Sequence, residues 1–351
     1  MLTDISNDLI KHFLAKSDIN SFLKSKLVHQ LYQSLESPYQ NTKIRLSQKT
    51  GSYPTSKFIA NSLNNKLVQR TNIMCLQWTT RGEHSGNYPV KNTLNIYLDD
   101  GDYEEHNQPN TKLLVAAISY ITSFSDKPRK ITIHLCLLPD KKRIRKNQKK
   151  LTQLNVNSGS NHFSDTESEI CIFRREEAIK VIFHEIIHSL RFSELGSHEE
   201  ITKRLCQKYN LGSKDILVDE SYTEMWAKIM NCYFISSLTN SQTKFQHFST
   251  LLALEQEFSI YQGNKVKQFV KKSSDKNLDK DTNVSAYYLV VGEIFSKFPK
   301  FLTTCQLDPH VKDTNKCLEY IYHLDKLDSR KISHNDPYYN TMRMSVAELE
   351  V

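Results

Sequence analysis

The chain contains no C-x-x-C pair. Its seven cysteines (Cys75, Cys136, Cys171, Cys206, Cys232, Cys305 and Cys317) are scattered through 351 residues. No four-cysteine set, and no two-cysteine, two-histidine set at finger spacing, can be assembled from them, which excludes the closed structural zinc modules. They read as free, mostly buried thiols in a reducing compartment. No run of about twenty apolar residues occurs, so no segment reads as a membrane-spanning helix. Met1 to Ser17 carries Asp4, Asp8, Lys11 and Lys16 with no apolar block, so no secretory leader is expected. No internal repeat is evident. The acidic stretch Asp99 to Glu105 lacks the spacing of a calcium loop and reads as a turn. These absences leave a soluble intracellular, cytoplasmic protein, long enough for one large or two modest domains.

Charge is present in excess and is uneven. The formal net charge is +8, and Lys141 to Lys150 holds seven cations in ten residues. Such a run reads as a solvated loop between strands, or as a docking patch for an acidic partner or nucleic acid. No aromatic residue interleaves it, so base stacking is not suggested.

The most informative positive feature is His184-Glu185-Ile186-Ile187-His188, an H-E-x-x-H set inside an apolar run. Glu176 to Phe192 contains neither Pro nor Gly and reads as one helix, with Ala178, Val181, Ile182, Ile186 and Leu190 near helical spacing. Histidines four apart share one face of a helix, so both can meet one tetrahedral zinc ion. Glu185 sits one step round, where it can take a proton from a water without being a ligand. The plainer alternative is a pair of satisfied core histidines. Three polar groups interrupting a buried helix need partners, however, and one metal would serve all three.

A third ligand remains to be found. A metzincin pattern would place Gly at position 191 and His at 194. The residues there are Arg191 and Glu194, and Arg does not easily make the turn that Gly makes. Glu194 and His198 are minor candidates. Val218 to Met230 offers a better one: a second helical pattern with Glu220 and Glu224 on one face. Glu220 can complete a two-histidine, one-glutamate set. Glu224 can then hold the outer nitrogen of a ligand histidine and fix its tautomer. The plainer reading of this pair is a solvated helix face.

H-E-x-x-H followed by E-x-x-x-E on a later helix resembles the gluzincin metallopeptidases, the thermolysin-like clan. Val156 to Gly159, Ile172 to Glu177, Lys180-Val181 and Glu220 to Ala227 are more narrowly similar to uncharacterised metallopeptidase-like proteins encoded by large DNA viruses. The resemblance covers about residues 130–235. It implies Glu185 as the catalytic base, His184, His188 and Glu220 as ligands of one Zn2+, and a polypeptide substrate. It also implies a sheet edge beside the helix for an extended peptide; an ordinary interior hairpin fits the same residues.

The fold expected is α+β and zincin-like, a small mixed β-sheet packed on the H-E-x-x-H helix, with helical N-terminal and C-terminal regions. The segments are 1–60 (helical), 61–240 (catalytic core) and 241–351 (mostly helical). Residues 3–35 read as two helices, 36–56 as an irregular connection and 56–67 as a short helix. Residues 93–98 and 130–138 read as strands, and 110–125 as a helix. Two short strands, 154–159 and 169–174, lead into the His184 helix. Residues 245–261 and 284–298 carry helical spacing, 271–281 reads as a polar linker, and 335–351 ends as a short acidic tail. His134 alternates with apolar neighbours and reads as a satisfied sheet residue.

The expected activity is zinc-dependent peptide hydrolysis, with an oxyanion donor among Tyr287, Tyr288, His323, His334, Tyr338 and Tyr339. The rival is a non-catalytic structural or virion-associated protein that keeps a zincin fold and its zinc.

Overall fold

A computed structural model describes residues 1–36, 47–50, 72–80, 90–98, 109–125, 129–145, 147–195, 199–212, 216–239, 242–273, 278, 282–305 and 307–351. The expected helix at 56–67, the turn at 99–105 and His198 lie outside them. In chain order the elements are α1 (Asp4–Leu14), α2 (Ile19–Lys24), α3 (Lys26–Glu36), β1 (Ser47–Thr50), β2 (Asn72–Thr80), β3 (Val90–Leu98), α4 (Thr111–Thr122), β4 (Lys130–Leu138), α5 (Gln153–Val156), β5 (Gly159–Phe163), β6 (Glu167–Arg174) and α6 (Ala178–Ser189). There follow α7 (Glu199–Tyr209), α8 (Val218–Ser237), α9 (Lys244–Lys272), a π-helical turn (Ser285–Val290), α10 (Val291–Ser296), α11 (Phe298–Thr304) and α12 (Thr314–Tyr322). The class is mixed α and β.

Two compact units emerge, and they interleave along the chain. One comprises Met1–Glu36, Lys141–Asn157 and Arg191–Leu349; the other comprises Ser37–Asp140, Ser158–Leu190 and Glu350–Val351. This grouping differs from the three consecutive segments 1–60, 61–240 and 241–351, because α1 to α3 pack with helices that follow residue 190. Phe13 of α1, for instance, meets Phe258 of α9 edge-on at 5.4 Å.

The sheet unit holds six described strands in the order β1-β2-β3-β4-β6-β5. β1, β2 and β3 pair antiparallel, β3-β4-β6 parallel, and β5 antiparallel to β6. The centre is parallel because β4, Lys130-Ile-Thr-Ile-His-Leu-Cys-Leu-Leu138, is a nearly continuous apolar and β-branched run. β5 is the terminal strand, joined to β6 by a tight turn in which the Ser164 amide donates to the Glu167 carbonyl. α4 and α6 lie together, Tyr120 meeting Phe183 edge-on at 5.9 Å. His134 lies buried inside the sheet, with Tyr97 Oη 2.7 Å from Nδ1 and Glu169 Oε1 3.1 Å from Nε2.

Residues 154–159 are not one strand. Gln153–Val156 forms a helical turn, and β5 begins only at Gly159. Asn155 decides this: its Oδ1 accepts from the Thr152 amide at 2.8 Å, and its Nδ2 donates to the Arg143 carbonyl.

The helical unit is built around α8 and the 29-residue α9, with Trp226 of α8 beside Phe301 of α11. α9 runs through Lys272, so it takes the first residues of the expected linker 271–281. The expected acidic tail is instead a buried strap. Met342 to Leu349 is buried, and helix side chains read its backbone: Lys228 donates to the Met344 carbonyl, Tyr288 to Met342, Asn231 to Ala347, and Glu255 accepts from the Val346 amide. Glu348 pairs with buried Arg343 at 2.8 Å. The basic segment is no free loop either. Arg143 bridges Thr341 antiparallel, which buries Lys142 and Ile144 and exposes Lys141, Arg143 and Arg145. Among the described residues, no disulfide joins any of the seven cysteines. No helix among the described residues is long and apolar enough to cross a membrane.

Candidate metal centre

Helix α6 is buried almost all round; of Ala178–Ser189 only His188 is partly exposed. It begins on Glu177, held in the left-handed region at φ 63°. The next turn closes when the Val181 amide donates to the Glu177 carbonyl. Its last turn is pinned to the sheet by a polar knot. Asn161 Nδ2 on β5 donates to the Glu185 carbonyl at 2.7 Å and to Ser189 Oγ at 2.9 Å. Ser168 on β6 bonds both Asn161 Oδ1 at 2.8 Å and Ser189 Oγ at 2.7 Å. Arg129 donates to the Ser189 carbonyl, where a cation suits the negative helix end. Buried polar groups are paired throughout this knot, and they fix the rotation of the helix about its axis.

That rotation places Glu185 against the first residue of β5. A Cβ on Gly159 would lie 2.6 Å from Glu185 Oε1 and 2.9 Å from Val181 Cγ1. Only a residue without a side chain lets the strand approach the carboxylate so closely. One turn apart on the adjoining face, His184 Nε2 and His188 Nε2 lie 3.3 Å from each other.

Glu220 enters from the first turn of α8, where a carboxylate suits the positive helix end. Its Oε2 accepts from Tyr287 Oη at 3.0 Å. The ligand atoms of His184, His188 and Glu220 all lie within 4.8 Å of one another, a set that could hold a metal ion. Glu224 is wholly buried one turn further on. Beside it, Thr223 Oγ1 is 2.7 Å from Ser193 Oγ.

Glu194 does not join the set. Its side chain is 59% exposed and pairs with Arg191 at 3.4 Å. The reason offered from sequence against a metzincin turn nevertheless fails: Arg191 does adopt the left-handed conformation, at φ 57°. What removes the class is the outward course of Glu194.

The six candidate oxyanion donors separate clearly. Tyr288 is committed to the Met342 carbonyl. His334 contacts Lys272 and the Tyr339 ring, His323 packs on Tyr322, and Tyr338 on His12. Tyr287 is bonded to a candidate ligand, Glu220. Sequence reasoning did not single out Gly159 for its missing side chain, nor Asn161, Ser168 and Ser189. The only trace of the knot in the sequence is three short polar residues at positions where strand and helix patterns call for apolar ones.

No protein-family model, no curated protein and no solved structure matches this chain.

Proposed function

We propose that the chain is a zinc-dependent peptidase of the gluzincin kind, with His184, His188 and Glu220 as ligands of one Zn2+ and Glu185 as general base. The observation that carries this reading is the meeting of the three ligand atoms beside a carboxylate that leads from the same helix as two of them. The donor set suits zinc. Tetrahedral bonds of about 2.0–2.1 Å put neighbouring ligand atoms roughly 3.3 Å apart, and the two Nε2 atoms are separated by 3.3 Å. Glu224 is read as the carboxylate that supports the ligand set.

When bound, the ion supplies Lewis acidity, polarising a carbonyl and bringing water ionisation toward pH ~7. Glu185 takes the proton of the attacking water and returns it to the leaving amine. Glu185 is buried, at 7% exposure, and the close approach of Gly159 limits where its carboxylate can swing. The knot of Asn161, Ser168 and Ser189 holds the backbone from which it leads.

Glu185→Gln tests the proposal. It should retain fold and zinc and lose cleavage of an unbiased peptide library, because an amide cannot accept the proton. Equal cleavage by the variant would rule out this base. A wild-type protein that binds zinc and cleaves nothing would favour the non-catalytic reading.

A further inference from the structure

Glu220 stands in the first turn of α8, partly exposed, where a glutamate ordinarily samples several rotamers and freezing one of them costs entropy. Two contacts stitch that turn to the π-helical segment Ser285–Val290. Ser221 Oγ donates to the Ala286 carbonyl at 3.2 Å, and Tyr287 Oη donates to Glu220 Oε2 at 3.0 Å. Asn283 Nδ2 in turn lies 3.3 Å from Tyr287 Oη as a donor. The tyrosine oxygen therefore accepts from Asn283, and its own proton is directed to the carboxylate. The π-helical turn provides the register: consecutive Tyr287 and Tyr288 reach different targets, the first Glu220 and the second the buried Met342 carbonyl. Such widened turns recur where a helix must re-aim a side chain at a functional site.

We infer that Tyr287 is a positioning residue that orients Glu220 as a metal ligand through its hydrogen bond to Oε2, with Asn283 setting the direction of the tyrosine proton. The inference rests on the metal-site reading above. A hydrogen bond to a ligating carboxylate restrains its rotamer before the ion arrives, so the ordering cost is met in folding and not in binding.

The test is the zinc dissociation constant, measured by chelator competition, of wild type, Tyr287→Phe, Glu220→Ala and the double variant. Melting temperatures in chelator establish that each apo protein folds. Tyr287→Phe removes one oxygen and should weaken zinc binding by roughly 10–100-fold with the apo melting temperature little changed. In the Glu220→Ala background the same change should cost almost nothing further, because its route of action is gone. A general structural role for Tyr287 would weaken both backgrounds alike. Unchanged zinc affinity in Tyr287→Phe, or an undiminished loss in the Glu220→Ala background, would overturn the inference while leaving the metal site standing. Failure of the wild type to bind zinc would overturn both.

Discussion

Gly159 lies directly against Glu185: a Cβ on the glycine would come within 2.6 Å of the glutamate Oε1 and 2.9 Å of Val181 Cγ1. The strand that borders the helix and the carboxylate assigned as base are thus fitted to each other at a single residue. Gly159→Ala should push the carboxylate aside. The far end of a glutamate yields easily, so the stability cost should stay below about 3 kcal/mol. Cleavage should fall on the order of 10²-fold, as for comparable misplacements of catalytic groups, while zinc content is retained. Steady-state kinetics and metal analysis on one preparation check this. Full activity in Gly159→Ala would mean the contact does not set the position of the base.

The basic segment separates into two kinds of residue. Lys142 is 1% exposed, whereas Arg143 and Arg145 face outward. Lys142→Glu should therefore destabilise the helical unit by about 3 kcal/mol or more, since it reverses a charge at a buried position. Arg143→Glu and Arg145→Glu should each stay within about 0.5 kcal/mol of wild type. Urea titrations measure both. Equal losses at the three positions would contradict the alternation imposed by the bridge to Thr341.

Lys265, buried in α9 and bonded to the Thr341 carbonyl, has its amine pushed down to about 7 from 10.5, chiefly by burial, with Asp336 acting in the opposite direction. Below about pH 7 the amine is charged in the folded and unfolded chains alike, and the burial penalty is felt in full. Between there and the ordinary lysine value the unfolded chain binds a proton that the folded one does not. The contribution of this group therefore makes stability rise with pH through that window. Comparison of wild type with Lys265→Met in urea at pH 6.5 and pH 9 should show the rise in the former and a reduced slope in the latter. The same slope in both proteins would remove Lys265 as its source.

Periodicity made the main elements of the site legible. β4 was readable to the residue because Ile131, Ile133 and Leu135 alternate inside a run that ends at Pro139. The H-E-x-x-H helix was readable because its apolar face is unbroken, and Glu220 because a carboxylate pair four apart follows it. What escaped was decided by hydrogen bonds that carry no period. Leu154 and Val156 alternate like a strand, but the contacts of Asn155 close a helical turn. The strap 342–349 looks like a polar tail, yet Lys228, Asn231 and Glu255, distant in sequence, read its backbone. Arg191 takes a left-handed conformation that residue preference alone disfavours. The bond from Tyr287 to Glu220 likewise joins residues far apart in the sequence and leaves no period in it.

Zinc content measured on the purified protein and its ligand variants tests the central claim most directly. Wild type should carry about one ion per chain, and His184→Ala with His188→Ala should carry none. Glu220→Ala should lose most of its affinity, and Glu194→Ala should match wild type. Stoichiometric zinc persisting in the double histidine variant, or a larger loss from Glu194→Ala than from Glu220→Ala, would contradict the assignment of the metal centre.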